Sequence, residues 1–279
     1  MQGKVVVITG ASSGIGQVAA ERLAGMGARI VLVARDKGRG EAALARLRGI
    51  APGANHTIHY ADLSLMAETK RVAAAIAAAE PRIDVLINNA GALFGTRRET
   101  SEGLEMTFAT NHMAYWVMTH GLRERLVASA PARVVSTSSG AHRGQVLDLD
   151  DLQSTKGYSA FKVYGRSKLC NILFTRALAR RTEKVGVTAN CLHPGFVATR
   201  FGDRSGGTMS IAIRVAKLFA ISPERGAETI VYLASSPAVA SVSGGYFYQS
   251  RPDTPTKAAL DDAAGEKLWE ATKKLAGVA

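Results

Sequence analysis

Cysteine is nearly missing from this chain. Cys170 and Cys191 are the only two in 279 residues, too few for a disulfide framework, and that scarcity fits a reducing compartment. Neither lies in a C-x-x-C pair, so the spacing of a structural zinc site is lacking too. Long apolar runs are also missing. No stretch reaches the roughly 18 uncharged apolar residues that a bilayer crossing needs, so no membrane span is expected. Met1-Gln2-Gly3-Lys4 leads straight into a strand-like run without the apolar region of a secretory signal, and the expected location is the cytoplasm. Acidic residues are in deficit, 23 against 35 Lys and Arg, which leaves a net charge of +12. Such a balance invites a nucleic-acid reading. The basic residues are scattered, however, and the nearest approach to a cluster, Arg176 to Lys184, includes Glu183. Basic residues are not interleaved with aromatics, and no helix-turn-helix pattern is found. The charge is read as an attraction for anionic small molecules, with no specific nucleic acid as partner.

What is present is ordinary globular material, 47% hydrophobic and 21% charged, enough for a sizeable core. Lys4 to Ile8 is a short β-branched run of the kind found in buried parallel strands. It ends in Thr9-Gly10-Ala11-Ser12-Ser13-Gly14-Ile15-Gly16, after which Gln17 to Met26 reads as helix. Strand, glycine-rich turn and helix in that order make a phosphate cradle. The turn exposes backbone N–H groups, and the helix N-terminus adds the positive end of its dipole. The spacing is G-x-x-x-G-x-G rather than G-x-G-x-x-G. A tight strand-to-helix turn with no ligand would use the same residues.

The second strand, Arg29 to Ala34, should end beside the adenosine ribose of a bound dinucleotide. Asp36 stands near the position of a ribose-binding acid, but Arg35 comes first after the strand. A guanidinium there can clamp a 2′-phosphate, with Lys37 and Arg39 adding positive potential. NADP(H) is therefore favoured over NAD(H), against the plain reading of Arg35 as a solvated turn charge. Further strands are expected at Ala54 to Tyr60, ending at Asp62-Leu63, and at Ile83 to Ile87, running into Asn88-Asn89-Ala90-Gly91. Ala132 to Thr137 ends in Ser138-Ser139-Gly140, Val187 to Leu192 leads to His193-Pro194-Gly195-Phe196-Val197-Ala198-Thr199, and Gly244 to Tyr248 is the last strand. Small polar residues at the C-terminal ends of strands are where open α/β sheets hold ligands. Helices alternate with these strands at Glu41 to Leu47, Ala67 to Ala79, Glu102 to Leu126, Tyr158 to Arg181 and Pro223 to Leu233. The expectation is a single doubly wound α/β domain over 1–279, a seven-stranded parallel sheet flanked by helices. No repeat or linker interrupts it.

Two parts of the chain leave alternatives open. Segment 208–221 sets Ser210, Arg214 and Lys217 on one helical face and apolar residues on the rest. It reads as a lid over a lipophilic substrate within 200–222, as an amphipathic helix resting weakly on a membrane surface or partner, or as a packed helix. The tail 257–279 reads as helical, capping the site or an oligomer contact. Asn111-His112 sit in an otherwise apolar helix, where an amide needs partners and a histidine is more often satisfied packing than a catalyst.

The helix Tyr158 to Arg181 carries Tyr164-Gly165-Arg166-Ser167-Lys168. A tyrosine and a lysine four apart share one helical face. A phenol keeps its proton to about pH 10, and a neighbouring ammonium lowers that value and prepares the group for proton exchange. Taken alone, such a pair is most often a packed aromatic beside an exposed charge. With Thr9-Gly10, Gly14, Gly16, Asp62, Asn88-Asn89-Ala90-Gly91, Asn111, Ser139 and Pro194-Gly195 in one order, the whole chain resembles the short-chain dehydrogenases/reductases. Thr110-Asn111-His112, the run from Tyr164 to Phe174, His193-Pro194-Gly195 and Gly244-Gly245-Tyr246-Phe247 resemble the retinol-dehydrogenase-like branch.

The resemblance implies a Rossmann domain and an NADP(H)-dependent oxidoreductase acting on a carbonyl or alcohol of a small lipophilic molecule. Tyr164 would be the acid/base, Lys168 would lower its pKa and hold the nicotinamide ribose, Ser139 would bind the substrate oxygen, and Asn111 would hold a relay water. Cofactor contacts are expected from Gly10, Ser12, Ser13, Gly14, Ile15, Gly16, Arg35, Asp62, Leu63, Asn88, Ala90, Gly91, Tyr164, Lys168, Pro194, Gly195, Val197 and Thr199. Asp62 would meet the adenine, Asn88 the adenosine side, and the segment after Pro194-Gly195 the carboxamide. An NADP(H)-binding regulator without turnover is the alternative, and the full set of Asn111, Ser139, Tyr164 and Lys168 argues against it. Folds of this kind often self-associate through their long helices, which leaves a homo-oligomer open.

Overall fold

The computed structural model describes residues 1–196 and 221–278. Each β-branched run forms a parallel strand, and the helices between them bring the chain back to the same end of the sheet. In chain order the elements are β1 (Val5–Thr9), α1 (Gly14–Gly25), β2 (Arg29–Ala34), α2 (Lys37–Ile50), β3 (Thr57–Tyr60), α3 (Met66–Ala79) and β4 (Val85–Asn88). Helix α4 follows as Met106–Phe108, a π turn over Ala109–Met113, and Ala114–Ala128. Then come β5 (Ala132–Thr137), α5 (Ala160–Thr182), β6 (Val187–Leu192), α6 (Pro223–Ser235), β7 (Tyr246–Tyr248), β8 (Arg251–Pro252) and α7 (Asp262–Leu275).

The strand order is β3-β2-β1-β4-β5-β6-β7-β8. The chain winds outward from β1 to β3, then crosses back to lay β4 on the other side of β1. That reversal opens a crevice above the C-terminal ends of β1 and β4. Alternation along β1 shows why the sheet is covered on both faces. Val6 and Ile8 enter a core with α1, α2 and α6, while Val7 enters a second core with α3, α4, α5 and α7. Each fully buried aliphatic side chain in these layers contributes roughly 1.5–3 kcal/mol.

The expected seven parallel strands are present, and an eighth corrects the count. β8 pairs antiparallel with β7, Phe247 opposite Pro252 and Tyr248 opposite Arg251. The connecting residues Gln249 and Ser250 both hold positive φ, 48° and 58°, the mark of a type I′ hairpin turn. Neither is Asn or Gly, so the usual hairpin signal is missing from the sequence. The Ser250 N–H is held by Thr229 Oγ1 at 3.0 Å, and Pro252 sits on the outermost strand, where no donor is required.

The expected lid at 200–222, with the three readings of 208–221, lies outside the described residues except for Ile221 and Ser222. The Ile221 N–H donates to the Phe196 carbonyl at 2.8 Å, so the described residues that flank 197–220 lie side by side. The tail forms α7, which packs on α5 and α4. Trp269 stacks on Phe174 and meets Trp116 edge-on, and Thr272 bonds His112 at 2.9 Å. His112 is thus packing, as its apolar setting suggests. Among the described residues no helix is long and apolar enough to cross a membrane.

Candidate active site

The turn after β1 is clamped to the end of β4. Thr9 Oγ1 accepts the N–H groups of Asn89 (3.0 Å) and Ala90 (3.1 Å), and Asn89 Nδ2 donates to the Thr9 carbonyl at 3.1 Å. Gly10 has φ +70°, and a β-carbon there would lie 2.7 Å from Ala90 Cα. Both facts demand glycine. Helix α1 then begins at Gly14 with Ser13 at its N-cap, and the Ser13 side chain makes no capping bond. Its first N–H groups are left to an outside acceptor, with Ser12, Ser13, Gly14 and Ile15 half-buried around them and Gly16 buried beneath.

Arg35 and Asp62, at neighbouring strand ends, come together, with Nη1 3.6 Å from Oδ2. Both are substantially exposed. Asp36 points the other way: its Oδ1 accepts the Arg39 N–H at 2.9 Å and caps α2. Leu63 is buried in the core beside α3. The Asn88 side chain is turned into the fold. It is fully buried and its Nδ2 donates to Thr119 Oγ1 at 2.9 Å, toward α4. Strand alternation turns Asn89, not Asn88, toward the glycine-rich turn.

Tyr164 and Lys168 lie one turn apart on α5, both buried, with the ammonium nitrogen 5.7 Å from the phenol ring centre. The Lys168 Nζ donates to the Thr137 carbonyl at 3.0 Å. Burial pushes the Tyr164 phenol up to about 12, opposed by a hydrogen bond from Ser139. Burial also pulls Lys168 down to about 7. Among the protein's own groups, desolvation therefore outweighs the expected lowering of the tyrosine by the lysine. Ser138 and Ser139 diverge as adjacent residues of an extended strand end must. Ser138 Oγ donates to the Lys168 carbonyl at 2.8 Å, and Ser139 faces Tyr164.

Asn111 sits in the π turn with its amide fully engaged. Its Oδ1 accepts the Ala92 N–H (2.8 Å), and its Nδ2 donates to the Ala92 carbonyl and Ser167 Oγ, each at 2.9 Å. Ser167 Oγ in turn donates to the Tyr164 carbonyl at 2.6 Å. Asn111 thus fastens the loop after β4 to the helix that carries Tyr164. A β-carbon on Gly91 would approach Asn111 Oδ1 to 3.3 Å and Lys168 Nζ to 3.4 Å, so a small residue is needed there.

Pro194 and Gly195 follow β6 at the same edge, the Gly195 N–H donating to His193 Nδ1 at 3.3 Å. Val197 and Thr199 lie outside the described residues. The structure thus brings together Gly10–Gly16, Ala90, Gly91, Asn111, Ser139, Tyr164, Lys168, Pro194 and Gly195, with Arg35 and Asp62 at the far rim. Thr9, Asn89 and Ser167, present in the motifs, and Thr137, at a strand end, carry no expected role in the sequence, yet they hold the others in place. Their one legible signal was position, since all but Ser167 stand at strand ends.

The family model for short chain dehydrogenases matches residues 4–209. The chain is 38% identical to human retinol dehydrogenase 14 over all of its own length and 88% of that protein's. Among solved structures, it is similar to a putative uncharacterized protein from Mycobacterium paratuberculosis (TM-score 0.79, 29% identity, 99% of this chain and 94% of that one). It is also similar to a short chain dehydrogenase from Burkholderia cenocepacia J2315 in complex with NADP (TM-score 0.70, 26% identity, 88% and 96% covered). The chain therefore belongs to the short-chain dehydrogenase/reductase family, in its retinol-dehydrogenase-like branch, and is an oxidoreductase acting on CH–OH or C=O groups with a nicotinamide cofactor.

Proposed function

We propose that the protein transfers a hydride between NADP(H) and the carbonyl or alcohol carbon of a small lipophilic substrate, with Tyr164 as acid/base. The observation that carries this reading is the meeting of Ser139 and Tyr164 at the open edge of the sheet, with Lys168 one turn behind.

The residues present fit the cofactor. Positive φ at Gly10 and Gly14 shapes the turn, and the uncapped start of α1 offers N–H groups for a pyrophosphate. Arg35 would take the 2′-phosphate and Asp62 the adenine, since Asp36 is committed to capping α2 and is turned from the ribose. Lys168 would hold the nicotinamide ribose hydroxyls, and the segment after Gly195 the carboxamide. The cofactor supplies the hydride when bound.

In reduction, Ser139 donates a hydrogen bond to the substrate oxygen and stabilises the negative charge that grows there. Tyr164 then gives that oxygen its proton. In oxidation the same atoms run in reverse, and Tyr164 must first be a phenolate. Lys168 lowers the cost of that phenolate whenever it carries its proton, which burial makes harder to keep. Asn111 keeps the loop at Ala92 and the tyrosine helix in register.

A lipophilic substrate is supported by exposed apolar side chains that lie close in sequence to the site residues. Val146 follows the Ser139 loop, Phe161 lies one turn before Tyr164, and Phe196 follows Gly195; they are 74%, 55% and 54% exposed. Retinol, named for the human relative, is itself a long apolar alcohol. The buried free thiols Cys170 and Cys191 accord with a reducing compartment, and the cytoplasm is the proposed location.

The test is NADPH oxidation against nonanal, benzaldehyde, all-trans-retinaldehyde and, as a polar control, glyceraldehyde. The apolar carbonyls should be preferred, and Tyr164→Phe should lose at least about 100-fold in turnover. Near-wild-type turnover in Tyr164→Phe would sink the mechanism.

A further inference from the structure

His142 is fully buried next to Ser139 and has no place in the chemistry above. Its bonds settle its state. Nδ1 lies 2.8 Å from the Ser139 carbonyl, which can only accept, so Nδ1 carries the hydrogen. Nε2 receives the backbone N–H of Thr256 at 3.4 Å, so Nε2 is bare. The ring is therefore the neutral Nδ1–H tautomer, in keeping with burial, which holds its pKa below the ordinary histidine value.

The Ser139 carbonyl accepts twice from the same residue, from the imidazole and from the His142 backbone N–H at 3.1 Å. The Ser139 hydroxyl meanwhile accepts the Ala141 N–H at 3.2 Å. Ser139 thus stands on a short turn whose outer side is the His142 ring. Behind that ring is the segment that leaves the β7–β8 hairpin. Tyr246 of β7 meets His142 edge-on at 5.2 Å, and its hydroxyl lies 3.5 Å from Nδ1. Asp253, just past β8, receives Arg143 at 3.0 Å. One strap, set by the left-handed turn at Gln249 and Ser250, therefore backs the serine turn over some hundred residues of sequence.

We propose that His142 is a positioning residue for the reaction: the hydrogen bond from its Nδ1–H to the Ser139 carbonyl fixes where the serine hydroxyl points, with the strap at Thr256 packed behind the ring. This rests on the reading of Ser139 as the group that binds the substrate oxygen. A donor aimed at a developing oxyanion works only if held in place before the reaction, and small displacements at such a site are costly.

The two bonds of the ring can be removed separately. In His142→Asn the amide nitrogen falls where Nδ1 was, so the Ser139 bond can be kept and the Thr256 bond is lost. In His142→Gln the amide falls where Nε2 was, so the reverse holds. Both shrink a buried ring and should cost similar stability. NADPH-dependent reduction of nonanal is measured for both, for His142→Ala and for Ser139→Ala, together with melting temperatures and amide hydrogen exchange over 139–145.

His142→Asn should stay within about threefold of wild-type kcat. His142→Gln and His142→Ala should fall at least about tenfold with the KM for NADPH unchanged, although the Asn and Gln variants melt alike. Equal kcat in the Asn and Gln variants, or wild-type kcat in His142→Ala, would overturn the proposal. Wild-type kcat in Ser139→Ala, or no nonanal turnover by the wild type, would place the fault in the reading of the site instead. Exchange at Ala141 and His142 then decides the role of the Ser139 bond: faster in Gln than in Asn upholds it, and equal rates overturn it.

Discussion

The pKa values of Tyr164 and Lys168 move in opposite directions for one reason. Burial disfavours charge on either, leaving the phenol near 12 and the ammonium near 7. On the proposed mechanism a phenol that holds its proton is ready to donate, which would favour carbonyl reduction at neutral pH. Alcohol oxidation needs the phenolate, and its rate should rise steadily from pH 7 to pH 10 while reduction stays flat or declines. Parallel pH–rate profiles in the two directions check this, and an oxidation rate that is level with pH contradicts it. Arg35 gives a second prediction at this scale. Losing a guanidinium from a 2′-phosphate removes a charge-assisted bond, so Arg35→Ala should weaken NADPH binding about tenfold or more and leave NADH binding unchanged. Fluorescence titration with both nucleotides would show it, and equal loss for both would return Arg35 to the role of a turn charge. Residue types and order were enough to pick out Tyr164, Lys168, Ser139 and Asn111. The balance between burial and charge at Tyr164 was not legible, because it depends on how deeply α5 is packed.

Helix α4 shows how an element can be half legible. Its apolar stretch announced a helix, and the structure starts it at Met106, four residues later than the pattern suggested. The start is set by Glu105, fully buried, whose two carboxylate oxygens accept the N–H groups of Thr107 (2.8 Å) and Phe108 (2.7 Å). A glutamate at an N-cap is not among the favoured signals, and the π turn three residues on leaves no mark in composition. Within that turn Asn111 makes tertiary bonds to Ala92 and Ser167. The β7–β8 hairpin escaped notice for a related reason: Gln249 and Ser250 are poor turn formers, held in place by Thr229 and the strand pairing. Truncating the cap should therefore do more than lower stability. Glu105→Ala leaves two buried N–H groups unpaired, a loss of about 2–4 kcal/mol at roughly 1–2 kcal/mol each. Because the capped turn leads directly into Asn111, kcat should fall as well. Denaturant unfolding and steady-state kinetics on the same sample test both parts. A stability loss of this size with unchanged kcat would separate the cap from the site.

For the whole molecule, the doubly wound sheet was legible because its strands alternate with helices along the entire chain. The closing of α7 over α4 and α5 was not, since it depends on Trp269, Trp116 and Phe174 meeting across long separations. That closure buries His112 against Thr272, and burial lowers its pKa to about 4; burial brings His193 to about 4 likewise. The ordinary value for both is 6.5. The unfolded chain therefore binds more protons than the folded one as pH falls from 6.5 toward 4, and stability declines across that window. Asp151 and Glu266, held near 2 mainly by hydrogen bonds, give up their contribution only below the ordinary carboxylate range. Glu105, raised by burial, acts in the opposite sense and gains stability as pH falls. A single substitution isolates the histidine part. His112→Gln keeps a polar atom for Thr272 and removes the titration. Between pH 7 and pH 5 the wild type should lose about 2 kcal/mol more than this variant. Urea unfolding at the two pH values measures the difference. An equal loss in both proteins would mean that His112 already titrates normally and that α7 does not seal it from water.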